Sequence, residues 1–246
     1  MTTESKDERK VALVFGGSRG IGAAAASRLA ADGFSVALTY VSRPDKAADV
    51  VSAIAAAGGK AIAIEADSAD PAAIRSAVVQ TVERLGPIDV VVVNAGILRV
   101  ATVDVFSLED LDRMLAINIR GVFVAIQAAA AHMREGGRVI TIGSNTAVRA
   151  SVPGSSVYAM TKAAVAALVK GLALDLAPRR ITVNNIQPGP TETDMTAAMI
   201  SRLAEMAPLK RVGQPQEIAG LVSYLAGDEA SYMTGASLTI DGGFVL

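Results

Sequence analysis

The sequence predicts an α/β fold: a single doubly wound domain in which a seven-stranded parallel sheet carries helices on both faces. Short apolar runs alternate with helical segments along the chain, a pattern that builds parallel sheets through right-handed crossovers. The run Ile88–Val93 is rich in valine, as expected of a strand covered on both faces. No linker, repeat or low-complexity tract interrupts the 246 residues, a length that suits one large α/β domain.

The predicted strands are short runs rich in β-branched or alternating apolar residues, most of them followed by glycine, asparagine, aspartate or serine. In chain order these runs are Val11–Phe15, Ser35–Val41, Lys60–Glu65, Ile88–Val93, Gly137–Ile142, Ile181–Ile186 and Ala236–Ile240.

The predicted helices fill the segments between the strands. Pro71 stands at the start of one of them, where its fixed φ and missing N–H are tolerated, and Pro178 closes the longest. In chain order the helical segments are Ile21–Ala31, Asp45–Ala57, Pro71–Leu85, Leu108–Met114, Ile117–Met133, Ser156–Ala177, Met195–Met206 and Pro215–Ala226.

The composition excludes several kinds of site. There is no cysteine, so disulfides, thiol nucleophiles and cysteine-ligated zinc are absent. The single histidine, His132, cannot build a histidine-rich metal site, and no metal is expected. It lies near the end of a predicted helix, where capping or surface packing is the expected role. The net charge of −1 gives no reason to expect a nucleic-acid polymer as partner.

The chain is expected to act in the cytoplasm, away from membranes. No uninterrupted apolar stretch reaches the 18 or more residues of a membrane span. Residues 1–9 are polar and charged, unlike a secretory signal, and are expected to form a flexible N-terminal tail. The domain is then expected to span residues 10–246.

A glycine cluster follows the first predicted strand directly and opens a helix. The glycines stand at Gly16, Gly20 and Gly22, in the pattern G-x-x-x-G-x-G. Glycines at such a turn let the backbone approach a pyrophosphate, and the helix N-terminus presents its positive end to the phosphates. The strand–turn–helix context therefore predicts a dinucleotide-binding Rossmann domain.

With this glycine spacing the chain resembles the classical short-chain dehydrogenases/reductases over nearly its whole length. A second match is Tyr158-Ala159-Met160-Thr161-Lys162 on the predicted long helix, with Ser144 fourteen residues upstream at a strand end. Further matches are Asn94-Ala95-Gly96, Asn118, Pro188-Gly189-Pro190-Thr191-Glu192-Thr193 and Thr239-Ile240-Asp241-Gly242-Gly243.

The resemblance implies four catalytic residues. Tyr158 would exchange a proton with the substrate oxygen, and Ser144 would orient that oxygen. Lys162 lies four residues after the tyrosine on one helix face, and a nearby ammonium is expected to lower the phenol's pKa. It would also bind the nicotinamide ribose. Asn118 would hold a water that relays protons from Lys162 to solvent.

The residues after the second predicted strand favour NADP(H) over NAD(H). Enzymes that prefer NAD usually carry an acid here to bind the ribose 2′-hydroxyl, whereas this chain has Tyr40, Ser42 and Arg43. Arg19 stands where NADP-dependent members carry a basic residue. The alternative is that Arg19 and Arg43 are only solvated surface charges.

The resemblance also implies the remaining cofactor contacts. Asp67 would bind the adenine amino group, although capping the following helix is an open alternative. The other expected cofactor residues are Gly16, Ser18, Gly20, Ile21, Gly22, Ser68, Asn94, Ala95, Gly96, Pro188, Gly189, Thr191 and Thr193, together with Tyr158 and Lys162.

Two positions depart from the family pattern. Phe15 replaces the usual threonine before the first glycine, and Val93 replaces the first of two asparagines. The threonine normally ties the glycine turn to the loop after the fourth strand. Its loss puts the stability of this turn in doubt, and apolar packing is the expected replacement.

The substrate is expected to be a small carbonyl compound or alcohol. In the family, the loop after Pro188 and the segment Met195–Met206 form a lid over the substrate, and methionine here suggests an adaptable apolar wall. Packing on the core or on another subunit is equally open. The run Glu192-Thr193-Asp194-Met195 and the Asp241-Gly242-Gly243 ending most resemble 3-oxoacyl-[acyl-carrier-protein] reductases. The acidic carrier protein would need a basic docking surface. Such a surface could include Arg134, Arg138, Arg179 and Arg180, and the alternative is that these four are scattered surface charges.

A second function remains open. The chain also resembles a bacterial branch of the family that binds cyclic-di-GMP and mediates biofilm dispersal. The stretches that carry this resemblance are Gly16–Gly22, Thr39-Tyr40, Asp67–Asp70, Val93–Ile97 and Gln187–Pro190. The family resemblance further implies paired helices, and the alanine-rich helices around Asn118 and Tyr158 favour a homotetramer.

Overall fold

The computed structural model describes residues 9–150 and 152–246. Nearly all of the expected N-terminal tail, residues 1–8, lies outside the described residues, and the prediction for it stays a prediction. The strands form one sheet of seven, all parallel, in the order β3-β2-β1-β4-β5-β6-β7, which confirms the expected fold. They are β1 Val11–Phe15, β2 Ser35–Tyr40, β3 Lys60–Glu65, β4 Ile88–Val93, β5 Met133–Ile142, β6 Thr182–Pro188 and β7 Ser237–Ile240.

The helices lie where the sequence predicts them, with small differences at their ends. They are α1 Gly20–Ala31, α2 Pro44–Ala56, α3 Pro71–Leu85, α4 Leu108–Leu115, α5 Val122–Ala130, α6 Ser156–Leu176, α7 Ile200–Met206 and α8 Pro215–Ala226. A π-helical turn, Ala116–Gly121, joins α4 to α5, and short 3₁₀ turns follow β5, follow α6, precede α7 and follow α8.

The order of the strands places a crevice beside β1. The chain first winds outward through β2 and β3, then returns to the other side of β1 to form β4. In register, Val14 lies between Leu38 on β2 and Val92 on β4. Ligands of open α/β sheets bind at such a switch point, outside the carboxyl ends of the strands. Two apolar clusters, one including Leu13 and one including Leu29, form the hydrophobic core.

Helix α5 ends at Ala130, three residues before the predicted end at Met133, because Met133 already belongs to β5 and pairs with Ile88. The guanidinium of Arg179 donates to the carbonyls of Ala130 and Met133, so it satisfies the polar groups at this reversal. His132 lies exposed in the intervening turn, which agrees with a surface role.

The four arginines considered for a carrier-protein docking surface lie at the amino ends of β5 and β6. Arg138 is buried and Arg180 pairs with Glu135 at 2.9 Å, while Arg134 lies 3.8 Å from Asp89. The expected ligand crevice is at the opposite, carboxyl edge of a parallel sheet. They therefore do not form a docking surface beside that crevice.

Two helical stretches are long and apolar enough to cross a membrane by length and composition alone. Leu108–Ala130 and Ser156–Arg179 have mean hydropathies of 1.3 and 1.5, with 50% and 33% of these windows buried inside the domain. Core helices of a folded domain meet the same criterion, so this is weak evidence. The expectation of no membrane partner stays a prediction.

Candidate active site

The glycine turn after β1 has no room for a side chain at Gly16 or at Gly22. Gly16 has φ +73°, and a Cβ there would lie 2.9 Å from the Cα of Ala95. A Cβ on Gly22 would lie 2.0 Å from the carbonyl oxygen of Gly16, so the start of α1 packs directly on the turn. Thr39 holds the turn from β2: its hydroxyl accepts from the Gly16 N–H at 2.9 Å, and its carbonyl accepts from Gly17.

The turn is also tied to the loop after β4, in spite of Phe15. The carbonyl of Phe15 accepts hydrogen bonds from the N–H groups of Asn94 and Ala95, at 3.1 and 3.0 Å. The side-chain amide of Asn94 donates to the carbonyl of Gly16 at 2.7 Å. Asn94 and the backbone therefore make the connection that was expected to fall to apolar packing, while the phenyl ring of Phe15 is buried in the core.

The expected cofactor residues share one edge of the sheet. Most of them lie at or just after the carboxyl ends of strands: Gly16, Ser18, Arg19, Gly20, Ile21 and Gly22 after β1; Tyr40, Ser42 and Arg43 at the end of β2; Asp67 and Ser68 after β3; Asn94, Ala95 and Gly96 after β4; Pro188, Gly189, Thr191 and Thr193 at the end of β6. Tyr158 and Lys162 lie on α6. With its glycine turn and no carboxylate between Tyr40 and Arg43, this edge fits a dinucleotide that carries a 2′-phosphate.

Three charged residues of this edge have protein partners. Arg19 donates to Asp194 at 3.0 Å, and Arg43 donates twice to Asp45, at 3.0 and 2.7 Å. Asp67 accepts from the N–H of Ala69 at 2.8 Å and contacts Arg113. The stretch from Asp67 to Pro71 does cap helix α3, as the alternative expected, but the capping residue is Asp70 and not Asp67.

The segment after β6 packs against both the glycine turn and the C-terminal residues. A Cβ on Gly189 would lie 2.5 Å from the Cβ of Asp241, and a Cβ on Gly20 would lie 3.1 Å from the Thr193 side chain. Residues 191–213 then leave the sheet and return to it, because the strand bridge between Thr191 and Gly213 closes their two ends. We call residues 191–213 the lid segment.

The four expected catalytic residues converge beside this edge. Ser144 follows β5, while Tyr158 and Lys162 lie one turn apart on α6. The ammonium of Lys162 lies 5.6 Å from the centre of the Tyr158 ring and donates to the carbonyl of Ile142 at 3.0 Å. Within the described residues, no buried side-chain nitrogen or oxygen lacks a hydrogen-bond partner.

Burial shifts the pKa values of both members of the tyrosine–lysine pair. It raises the pKa of Tyr158 to about 12, although a hydrogen bond with Ser144 opposes the rise. It lowers the pKa of Lys162 to about 8. The prediction that the lysine lowers the pKa of the phenol is wrong for this structure, because desolvation of the phenolate dominates. A neutral phenol and a readily deprotonated ammonium are the result.

Asn118 lies on the π-helical turn and is buried. Its side chain exchanges two hydrogen bonds with the backbone of Ile97 and donates a third to Thr161. A Cβ on Gly96 would lie 3.4 Å from Asn118 Oδ1 and 3.5 Å from Lys162 Nζ. The four catalytic candidates and the loop after β4 thus form one connected site.

Sequence reasoning missed Thr39, Thr161 and Asp194. Each acts through a partner that is distant in the chain: Thr39 through Gly16, Thr161 through Asn118, and Asp194 through Arg19. Thr161 stands inside the Tyr158–Lys162 match, but the motif does not indicate that its partner is Asn118. The pairing of β2 with β1 brings the end of β2 beside the glycine turn, and this pairing is set by the folded sheet.

Comparison with known proteins agrees with this geometry. Residues 16–245 match the family described as enoyl-(acyl carrier protein) reductase. A short-chain dehydrogenase/reductase from Serratia marcescens is 52% identical, with a TM-score of 0.95 over 98% of this chain and 100% of that one. The chain belongs to the short-chain dehydrogenase/reductase family. It is therefore an oxidoreductase with a single Rossmann-type domain.

Other members of the short-chain dehydrogenase/reductase family are nearly as similar. A Burkholderia cenocepacia short-chain dehydrogenase in complex with NADP is 46% identical, with a TM-score of 0.94 over 98% and 100% of the two chains. The cyclic-di-GMP-binding biofilm dispersal mediator protein of Escherichia coli is 43% identical over 96% and 97% of the chains. A 3-oxoacyl-[acyl-carrier-protein] reductase from Synechocystis is 39% identical over the same shares.

Proposed function

We propose that this short-chain dehydrogenase/reductase is an NADP(H)-dependent carbonyl reductase, acting between a ketone or aldehyde and the alcohol. The observation that carries the proposal is the cluster of Ser144, Tyr158 and Lys162 beside a glycine turn at the sheet's switch point. When bound, NADPH supplies the hydride. The protein's own residues bind, orient and protonate the substrate.

Tyr158 is the proton donor in the reducing direction. Because burial raises its pKa to about 12, the phenol stays protonated at neutral pH and is able to give its proton to the carbonyl oxygen. Ser144, which hydrogen-bonds the phenol, orients the same oxygen. Lys162, with its pKa lowered to about 8, is suited to return a proton to the tyrosine. The side chain of Asn118 bonds Ile97 and Thr161, and its expected relay water stays a prediction.

NADP(H) is the cofactor that the charges favour. A 2′-phosphate is favoured by nearby cations and by the absence of an acid that would bind the ribose 2′-hydroxyl. Arg19 and Arg43 follow β1 and β2, and no acid stands between Tyr40 and Arg43. The Burkholderia cenocepacia relative, which was solved with NADP, supports this choice. We expect kcat/KM to be higher with NADPH than with NADH. Equal values, or a preference for NADH, would contradict the assignment.

The decisive experiment is a panel of ketones, aldehydes and 3-oxoacyl thioesters assayed with NADPH. The variant Tyr158→Phe keeps the ring and removes the donor, so turnover should fall by about 10²–10⁴-fold while cofactor binding stays. Tyr232→Phe is the matched control, since Tyr232 is fully exposed. Comparable turnover in Tyr158→Phe would show that Tyr158 is not the acid.

The lid segment supports an apolar substrate. Met195, Met199 and Met206 are all partly exposed, at 47%, 42% and 41%, and form an adaptable surface. Together with the 39% identical Synechocystis reductase, this favours 3-oxoacyl thioesters as the first compounds of the panel. Turnover of simple ketones but of no thioester would remove this substrate class.

Binding of cyclic-di-GMP is a second candidate function. The 43% identical Escherichia coli protein is described as a cyclic-di-GMP-binding mediator, and it covers almost the whole chain. The test is calorimetric titration of the protein with cyclic-di-GMP. Micromolar binding that NADPH displaces would favour this function, and absence of binding would remove it.

We also propose a cytoplasmic homotetramer. Helices α5 and α6 expose Phe123 at 41%, Met160 at 47% and Leu174 at 77%, which is unfavourable unless another subunit covers them. Light scattering should give four times the chain mass, and Leu174→Glu should reduce it. A monomeric mass for the unaltered protein would refute the assembly.

A further inference from the structure

The arginine expected to bind the 2′-phosphate is held by a carboxylate of the lid segment. Arg19 Nη1 lies 3.0 Å from Asp194 Oδ2, although 175 residues separate them. Arg19 is the residue that precedes α1, so its position is fixed by the glycine turn. The ion pair therefore links the glycine turn to the lid segment.

The contact between the two segments is not confined to the ion pair. A Cβ on Gly20 would lie 3.1 Å from Thr193 Cγ2, so the start of the lid segment packs on the turn. Asp194 follows Thr193 directly. Its charge also acts on Arg43, whose pKa is raised mainly by its hydrogen bond and ion pair with Asp45 and further by Asp194. One carboxylate thus acts on both cations.

We propose that Asp194 competes with the 2′-phosphate of NADP(H) for Arg19 and so limits affinity for the phosphorylated cofactor. The inference rests on the proposed NADP(H) function. A phosphate is itself an anion and binds Arg19 through the same guanidinium face. NAD(H) has no 2′-phosphate and leaves the ion pair undisturbed. Asp194 therefore lowers the affinity for NADP(H) and leaves the affinity for NAD(H) unchanged, so the preference for NADP(H) over NAD(H) becomes smaller.

The size of the effect follows from exposure. The side chains of Arg19 and Asp194 are 64% and 76% exposed, so water and salt screen their attraction. Exposed pairs contribute little, and we expect Asp194→Asn to tighten NADPH binding by about two- to fivefold. NADH affinity should not change. The gain should shrink at high ionic strength, because salt screens exposed charges.

The test is equilibrium binding of NADPH and NADH, followed by nucleotide fluorescence without substrate. It uses the unaltered protein, Asp194→Asn, Arg19→Gln and the double variant. In the Arg19→Gln background, removing the carboxylate should have a clearly smaller effect on NADPH affinity, because only the weaker action of Asp194 on Arg43 remains. Asp112→Asn, an equal charge change on exposed α4, is the control and should leave both affinities unchanged.

Three results would overturn the proposal. Weaker NADPH binding by Asp194→Asn would mean that the carboxylate orients Arg19 for the phosphate, and unchanged binding would mean that the two do not compete. An equal gain for NADPH and NADH would also contradict it, because NADH lacks the phosphate. If the unaltered protein binds neither nucleotide, the proposed function itself fails, which is a separate outcome.

Discussion

Asn118 and Ile97 hold each other through two hydrogen bonds. The N–H of Ile97 donates to Asn118 Oδ1, and Asn118 Nδ2 donates to the carbonyl of Ile97, both at 2.9 Å. The side-chain amide of Asn118 thus satisfies both backbone polar groups of Ile97 in the loop after β4. It fixes Gly96 beside Lys162, and so it connects the nucleotide edge of the sheet to the catalytic helix.

Replacement of Asn118 by leucine should destabilise the protein. The change keeps the approximate volume and leaves both the N–H and the carbonyl of Ile97 without partners in a partly buried place. An orphaned buried group costs about 1–3 kcal/mol, so the two together should lower the free energy of unfolding by about 2–6 kcal/mol, toward the lower end because burial is partial. Urea denaturation measures it. A loss below about 0.5 kcal/mol would show that water replaces the amide without cost.

Lys162 should make the protein more stable as the pH rises from about 8 to 10. Its pKa is about 8 when folded and near 10.5 when unfolded, so in this window the unfolded chain binds more protons. Below pH 8 the folded protein bears the full cost of burying the charged ammonium of Lys162. Above pH 8 the buried amine loses its proton and this cost disappears. Denaturation at several pH values should show a gain of about 2 kcal/mol, which Lys162→Met should abolish.

Lys170→Met is the control for this pH effect. Lys170 lies two turns further along α6 and is exposed, so its removal should leave the pH dependence intact. Above pH 10 the raised pKa of Tyr158 acts in the opposite sense, because the folded protein then binds more protons. A flat profile between pH 8 and 10 in the unaltered protein would contradict the assignment to Lys162.

Local sequence signals predicted most of the fold because each strand and helix carries its own periodicity. The difficult places are those that distant residues decide. Helix α5 stops at Ala130 because β5 begins early and Arg179, far along the chain, satisfies the reversal. The sequence predicted a fifth strand that starts at Gly137, whereas β5 starts at Met133 and runs through Gly136 and Gly137.

In the candidate site, too, local features were predicted and features that depend on distant residues were not. The motifs predicted that Ser144 follows the fifth strand and that Tyr158 and Lys162 share one helix, since spacing along one element is a local property. The direction of the pKa of Tyr158 was missed because it depends on burial, which the sequence pattern does not measure. The pairing of Arg19 with Asp194 depends on the path of the lid segment.

The start of α1 should not tolerate a methyl group. In Gly22→Ala the new Cβ would lie 2.0 Å from the Gly16 carbonyl oxygen, and the backbone there has no space to move. We expect loss of nucleotide binding and a lower melting temperature. Gly220→Ala in α8 is the control: its Cβ would meet nothing within 4 Å, and alanine should add up to about 1 kcal/mol. Equal effects of Gly22→Ala and Gly220→Ala on nucleotide binding and melting temperature would contradict the close packing of α1 on the glycine turn.

Glu217 should hold the returning end of the lid segment closed. Its carboxylate accepts two hydrogen bonds from Arg211, both at 2.7 Å, and one from the N–H of Gln214 at 2.8 Å. These bonds, with that of Arg211 the largest, lower the pKa of Glu217 to about 2. Gln214 in turn donates to Glu192 at 2.7 Å, so both ends of the lid segment depend on one cluster.

Glu217→Gln should therefore loosen the lid segment without unfolding the domain. Because the pair is exposed, the free energy of unfolding should change by less than about 1 kcal/mol. Trypsin should cleave after Lys210 or Arg211 several times faster, while Glu205→Gln on α7 should cleave as the unaltered protein does. The folded pKa lies below the unfolded value of 4.5, so the carboxylate's contribution is complete above pH 4.5 and is lost toward pH 2. Unchanged cleavage in Glu217→Gln would show that the strand bridge between Thr191 and Gly213 closes the lid segment unaided.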